Sequence, residues 1–226
     1  MSERNEIFNR IQQALTRPGR RPEHAAAHHL AHRPQPDDFR RVLPAVGRNF
    51  AENLALFQRN AADLKADFFL FDNERQAHEK LNEIKLADRW QQVGSHHGRL
   101  TQSACATMNL PVCQVDKGYS ADDLESCDAG LTECDALVAQ TGSVLVTSRS
   151  AGGRALSVLP PHHVVLARRE QLVPGLPDAF ALLKQRYSGQ YPSMISIVTG
   201  PSRTGDIERI LVLGAHGPKK LTILCW

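Results

Sequence analysis

This sequence predicts an α/β domain: a largely parallel β-sheet covered by helices on both faces. Three observations carry that prediction. Short apolar runs of strand length alternate with segments of helical period through residues 43–115. The later apolar runs are rich in β-branched residues and bounded by Gly and Pro. No apolar run approaches the ~18 residues of a membrane-spanning helix, so no transmembrane segment is expected. With 226 residues, 42% hydrophobic and 23% charged, the chain can bury a substantial core without disulfides or a structural metal.

Residues 1–15 hold a short amphipathic helix, with Ile7, Phe8, Ile11, Ala14 and Leu15 on one face. A helix of this length is marginal alone in water, so it should dock on its own domain or on a partner. Residues 16–38 carry Pro18, Pro22, Pro34 and Pro36 with four histidines between them, and read as a linker. The main domain then runs over residues 39–226. A helix is predicted from Leu43 to Leu64, where Phe50, Leu54, Phe57, Ala61 and Leu64 keep the period. Asp67–Asp72 fits a buried strand. Asn73 and Gln76 form a capping-box-like start for a helix whose inner face is Ala77, Leu81 and Ile84. Strands follow at Trp90–Val93 and Val112–Val115. Ala136–Ala139 and Val144–Thr147 flank a tight turn in which Gly142 takes the positive φ a hairpin needs. Val164–Ala167 is a strand and Leu176–Tyr187 a helix; Ser193–Val198 and Leu221–Cys225 are expected as strands of the central sheet.

The formal net charge of +3 comes from residues 1–41, where eight Arg face five acids. The Arg-rich linker has no aromatic side chain and the main domain no basic stripe, so a solvated tether is expected rather than a nucleic-acid arm. The first residues carry both signs of charge and no apolar stretch, which points away from a secretory signal and towards the cytoplasm. The five cysteines are odd in number and lack C-x-x-C spacing. Reduced, mostly buried thiols are expected, with no disulfide framework, resident iron–sulfur cluster or zinc site. The linker histidines lack an acid or Cys spaced to complete a metal site, so no metal is assigned.

The sharpest segment for chemistry is Ile197–Glu208. A β-branched strand ends in Gly200-Pro201; Ser202, Arg203 and Thr204 follow, then a possible helix start with acids in its first turn. In open α/β sheets ligands bind beyond the carboxyl ends of strands, and a helix N-terminus offers free N–H groups to an anion. Arg203 would supply a fork for a carboxylate or phosphate, and Ser202 and Thr204 hydroxyl donors. The plainer reading is a capped turn with Arg203 paired to Asp206 or Glu208. The spacing is not that of a Walker loop. His216, between Gly214 and Gly217 in Leu213–Pro218, reads as an acid/base group, a ligand contact or simply a turn histidine. Thr141, Gly142 and Ser143 form a third candidate segment. In a fourth, Pro160-Pro161 stiffens the approach to His162 and His163, one of which should be a packed strand residue. The loop Ser148–Arg154 offers Arg149 and Arg154 either to an anion or to solvent. His96-His97-Gly98 reads as structural. No nucleophile elbow, Ser–His–Asp array or zinc-binding H-E-x-x-H helix is present.

Taken in order, these segments resemble the lactate-utilization (LUD-domain) family. The resemblance rests on Asp128–Thr132, Asp135–Ser143, Ser157–His163, and Gly200–Glu208 with Leu213–Pro218, and covers residues 40–226. It implies a three-layer α/β/α fold with a mostly parallel central sheet, like that of ribose-5-phosphate isomerase, glucosamine-6-phosphate deaminase and the CoA transferases. It also implies a part in oxidising L-lactate to pyruvate beside two iron–sulfur, Cys-rich partner proteins, whose clusters would carry the electrons. The chain itself would bind a small carboxylate or phosphate, with no cofactor of its own. Two positions depart from the family pattern. Gln140 stands where relatives often have an acid, and Glu133 where they often have Gly. A neutral amide supplies neither base nor nucleophile, so covalent chemistry of the CoA-transferase kind lacks its carboxylate. No dinucleotide fingerprint is present, so a component of a complex is expected rather than a complete dehydrogenase. The alternatives are an independent enzyme on a sugar-phosphate or CoA-type substrate, from fold analogy, and a non-catalytic regulatory or binding subunit, from the N-terminal helix on its tether.

Overall fold

The computed structural model describes residues 7–10, 12–13, 44–204, 212–213 and 217–226. The chain divides into two units, Met1–Val42 and Leu43–Trp226. In the first, residues 7–10 and 12–13 are helical and exposed; the expected linker lies outside the described residues.

In the second unit, α1 (Phe50–Asp63) starts later than its apolar period suggests. Asn49 caps it, its Oδ1 accepting from the Glu52 N–H at 2.9 Å, and the Gly47 N–H is used by Asn53 Oδ1 at 2.8 Å. These side chains hold the preceding residues out of the helix. Next come β1 (Asp67–Leu70) and α2 (Glu74–Ala87), capped by Asn73 while Gln76 reaches back to the Asp72 N–H at 3.0 Å. They are followed by β2 (Val93–Ser95), α3 (Arg99–Met108), β3 (Val112–Gln114), α4 (Ala121–Glu125) and β4 (Ala129–Glu133). The strand expected from Trp90 begins only at Val93, because the Asp128 carboxylate takes the N–H groups of Gln91 and Gln92 at 2.6 and 3.1 Å. The rest of the unit contains β5 (Ala136–Val138), β6 (Ser143–Thr147), β7 (His162–Ala167), β8 (Leu172–Val173), α5 (Leu176–Arg186), β9 (Ile195–Val198), β10 (Arg203–Thr204), β11 (Val212–Leu213) and β12 (Lys220–Cys225).

The central sheet has the order β1-β12-β7-β4-β2-β3, and every pairing in it is parallel. Its strands are apolar on both faces because both are covered. Val165, Leu221 and Ile223 join Phe57 and Ala61 of α1; Leu131, Val164 and Leu224 join Leu81 of α2 and Leu100 and Met108 of α3. Neighbouring residues of one strand thus enter opposite cores, as the two-residue strand period requires. Ser193–Val198 does not join this sheet. Its strand, β9, is the edge of a second, four-stranded sheet of order β8-β5-β6-β9 and pairs antiparallel with β6. On this edge Ile195 and Ile197 are exposed, so the apolar run fixed neither burial nor the partner strand. On the outer face of the second sheet, α5 packs Ala179, Leu183 and Tyr187 against Ala136, Val138 and Leu145. Among the described residues no helix is long and apolar enough to cross a membrane.

Candidate functional site

The turn between β5 and β6 is clamped onto the last turn of α1. Asn60 Nδ2 donates to the carbonyls of Ala139 and Gln140 at 2.9 and 3.0 Å. Gly142 has φ +64°, and a Cβ there would lie 2.6 Å from the Ala61 nitrogen. Glycine is therefore needed both for the left-handed conformation and for the close approach. Ser143 is fully buried, with its Oγ 2.9 Å from Thr199 Oγ1. Thr141 Oγ1 is buried and has no hydrogen bond. Gln140 spends its amide on the backbone: Nε2 donates to the Pro44 carbonyl at 2.8 Å, and Oε1 faces the Leu176 N–H at 3.4 Å. A carboxylate at this position could not donate to Pro44, so the departure to Gln has a structural use here.

The segment after β9 meets the same end of α1. Gly200 has φ +82°, and a Cβ on it would lie 2.8 Å from the Leu64 carbonyl oxygen. The exposed Arg203 donates to that carbonyl through its guanidinium. β10 and β11 pair antiparallel, Arg203 with Leu213 and Thr204 with Val212. The Ser202 N–H donates to the Pro218 carbonyl at 2.8 Å, and Gly217 lies against the Ser202 side chain. The two Gly-bearing motifs are thus brought side by side, while His216, Asp206 and Glu208 lie outside the described residues. Arg203 and Thr204 form a short strand, and the possible helix start after them lies outside the described residues. One local expectation is corrected: the segment lies where the chain enters β1 and β12, not beyond the carboxyl ends of the parallel strands. The reason is that β9 belongs to the second sheet.

His162 has different neighbours. It opens β7, is 4% exposed, and places Nε2 2.8 Å from Thr222 Oγ1, with the Trp90 ring edge-on at 5.3 Å between centroids. Burial lowers its pKa, against the opposing pull of Asp88. It lines a cleft of about 270 Å³ with Asp88, Trp90, Asp128, Pro161, Lys219 and Lys220. His163 points to the other face, fully buried with Nε2 2.9 Å from Thr132 Oγ1, and burial pushes its pKa down to about 3. It is the packed member of the pair.

The sequence reading took His96 as structural and Glu133 as a departure from the family pattern, and did not pair them. From β2 the chain moves out to the edge strand β3 and returns to β4 on the other side of β2, so the topology switches between β2 and β4. Such a switch opens a crevice at the carboxyl ends of the strands. His96 and Glu133 stand there. His96 Nε2 accepts from the Glu133 N–H at 3.3 Å, and Glu133 Oε1 accepts from the Leu100 and Thr101 N–H groups at 2.7 and 3.4 Å. The carboxylate thereby caps the positive end of α3. A Cβ on Gly98 would collide with that carboxylate, and one on Gly152 with His96. Burial lowers the His96 pKa, while Glu133 and then Asp116 pull it up. The Ser148–Arg154 loop is held over this pair: the Ser150 carbonyl also accepts from the Glu133 N–H at 3.1 Å, and Arg154 donates to Ser193 at 3.2 Å. Only the strand order brings residues 96 and 133 together, so no local signal could have paired them. Among the described residues no three His, Cys, Asp or Glu side chains gather as metal ligands.

Comparison with known proteins identifies the family, because residues 54–225 match the LUD domain. The chain belongs to the LUD domain family. This LUD domain is similar to proteins named lactate utilization protein C. It is 36% identical to that of Geobacillus kaustophilus over 101 residues, covering 44% of this chain and 42% of the relative. With that of Shouchella clausii it shares 35% over 106 residues, 46% of each chain. With that of Anoxybacillus flavithermus it shares 35% over 158 residues, 63% of this chain and 70% of the relative. It thus spans less than half the length of the first two relatives. A crystal structure of a DUF162 family protein from Deinococcus radiodurans has the same fold, with a TM-score of 0.61 at 19% identity, covering 79% of this chain and 99% of that one.

In this LUD domain the sequence-predicted residues fall into two groups. Thr141, Gly142, Ser143, Ser202 and Arg203 gather around the end of α1, with the strand that leads to His216 beside Arg203. His162 stands apart: Arg203 is anchored to the segment entering β1, His162 opens β7, and β12 runs between those two strands.

Proposed function

We propose that this LUD domain serves lactate utilization in the cytoplasm, as one component of a system that oxidises L-lactate to pyruvate. It works with two iron–sulfur partner proteins, carries no redox cofactor of its own, and binds a small carboxylate or phosphate beside Arg203 and His216. The relatives' shared name supports the pathway. The observation that carries the site is the pairing of Arg203 with Leu213 together with the Ser202–Pro218 hydrogen bond, which brings residues flanking His216 in sequence to the segment that carries the exposed Arg203. One donor of that guanidinium is spent on the Leu64 carbonyl, which braces the side chain; the others have no partner among the described residues and would make a bidentate contact with an oxyanion. Ser202, half-buried next to Gly217, and Thr204 would add hydroxyl donors, and His216 would accept the proton of the 2-hydroxyl. The turn Thr141–Ser143, tied through Ser143 to Thr199, would hold the arginine-bearing segment in register.

The test is lactate-dependent dye reduction by the purified chain, alone and reconstituted with its two partners. Activity is expected only from the complete set, and Arg203→Ala should abolish it while leaving assembly intact. Full activity of the isolated chain without added metal or flavin would overturn the assignment.

A further inference from the structure

We propose that β9 is a self-pairing edge: two copies of the chain join their β9 strands antiparallel about a two-fold axis at Ser196, fusing their four-stranded sheets into one. The first observation is the open edge itself. β9 ends the order of the second sheet, so its outer side has no strand partner among the described residues. The ends of the other strand rows are blunted: β8 has two residues, β3 has three, and β1 opens on the charged Asp67. β9 carries none of these devices. Its sequence is Ile-Ser-Ile-Val, and residues 187–202 hold no charged side chain. Arg154 donates to the Ser193 carbonyl just ahead of the strand, so the free edge runs from Met194 to Val198. Natural proteins protect such edges with charges, prolines or a covering element, and a bare apolar one invites another strand.

The second observation says which strand fits. Met194-Ile195-Ser196-Ile197-Val198 reads nearly alike in both directions about Ser196. An antiparallel twin centred there sets Ile195 opposite Ile197, Met194 opposite Val198 and Ser196 opposite itself. Every apolar side chain then meets an apolar one, and no like charges face each other, as an interface between identical patches requires. The backbone agrees with this register. The Ser148 N–H donates to the Met194 carbonyl at 3.0 Å, and β6 pairs with β9 from Thr147–Ile195 to Val144–Val198. Met194, Ser196 and Val198 therefore turn their N–H and C=O groups to β6, while Ile195 and Ile197 turn theirs outward. In the twin register those outward residues stand opposite each other, and each Ile195–Ile197 pair exchanges two hydrogen bonds. The side chains agree as well. Ile197 is paired with Leu145, which lies under α5, so Ile195 and Ile197 point to that same face. They are 41% and 36% exposed because α5 packs on β5 and β6 and leaves β9 uncovered. Across the axis the isoleucines of both copies form one apolar strip between the two α5 helices.

An interface built on one short strand is small, so the dimer should form by mass action and dissociate on dilution. The full chain is followed by sedimentation velocity from micromolar to millimolar concentration under reducing conditions. The parent should move from the monomer towards twice its mass. Ile197→Lys replaces an exposed side chain and sets a charge against Ile195 of the other copy; it should weaken association at least tenfold while the far-UV circular dichroism stays that of the parent. Should that variant fail to fold, Ile195→Lys tests the same pair from its other member. Ser196→Cys gives a readout of the register. The two copies of position 196 form the close, non-hydrogen-bonded pair at the axis, at a separation that a disulfide spans. Oxidation with diamide should therefore yield a reducible dimer of Ser196→Cys that the parent, with its five native cysteines, does not give. The proposal is overturned if the parent stays monomeric throughout, which would give the edge to a different protein or to the chain's own N-terminal residues. It is equally overturned if the lysine variant associates like the parent, or if Ser196→Cys crosslinks no more than the parent.

Discussion

Replacing Gly142 by alanine should loosen the whole arginine-bearing corner of the molecule. Two costs add at this position. At φ +64° an L-residue sits in the left-handed region, which costs roughly 1–2 kcal/mol. The new Cβ would also lie 2.6 Å from both the Ala61 nitrogen and the Asn60 carbonyl carbon. Those are backbone atoms of α1 and cannot rotate away, so either the helix or the turn must shift, at about 1–3 kcal/mol. A shift of the turn also stretches the two Asn60 bonds to Ala139 and Gln140. The expected total is ~2–5 kcal/mol, a Tm lower by roughly 5–15 °C for a domain of this size. Gly189 is the control: its φ is +81°, yet a Cβ there meets nothing within 4 Å. Gly189→Ala should therefore show the conformational cost alone, about 1 kcal/mol. Urea unfolding of both variants beside the parent measures the difference. If Gly142→Ala is no less stable than Gly189→Ala, the close approach of turn and helix is not what glycine serves here.

Stability should fall on acidification from neutral pH. His163 has a folded pKa of about 3 against an ordinary 6.5, so below pH 6.5 the unfolded chain takes up a proton that the folded chain refuses. Its contribution is complete above pH 6.5 and is lost progressively towards pH 3. Between pH 7.5 and 5 this one group removes about 2 kcal/mol, and His162, His96 and His78 are displaced in the same direction. An unfolding free energy that stays flat over that range would contradict the burial of these rings. The thiols give a second check. Burial pushes Cys127 to about 11, Cys225 to about 12, and Cys134 well above its ordinary value. Iodoacetamide at pH 7.5 should therefore leave these three unmodified in the native chain and label them once urea unfolds it. Stoichiometric labelling of Cys134 in the native chain, read by mass spectrometry, would refute its placement.

Much of this fold was written in local patterns, because burial imposes a period on each element. The apolar runs at Asp67–Leu70 and Leu221–Cys225, the helix face of Ala77 and Leu81, the Asn73 cap and the Gly142 turn all report their own surroundings within a few residues. Family motifs likewise marked the Arg203 and Gly217 segments, which tertiary pairing sets side by side. What no local pattern carries is the partner of each strand. Ile195–Val198 has the same apolar character as the central strands, yet lies at the edge of the second sheet, because crossovers decide which strands meet. The same cause joins His96 to Glu133 across the switch between β2 and β4, and sets Lys220 and His162 against Asp88. The sequence by itself therefore determined the elements and the candidate side chains. Only the tertiary structure decided which of them face one another, since such contacts depend on chain crossovers that local burial periods do not encode.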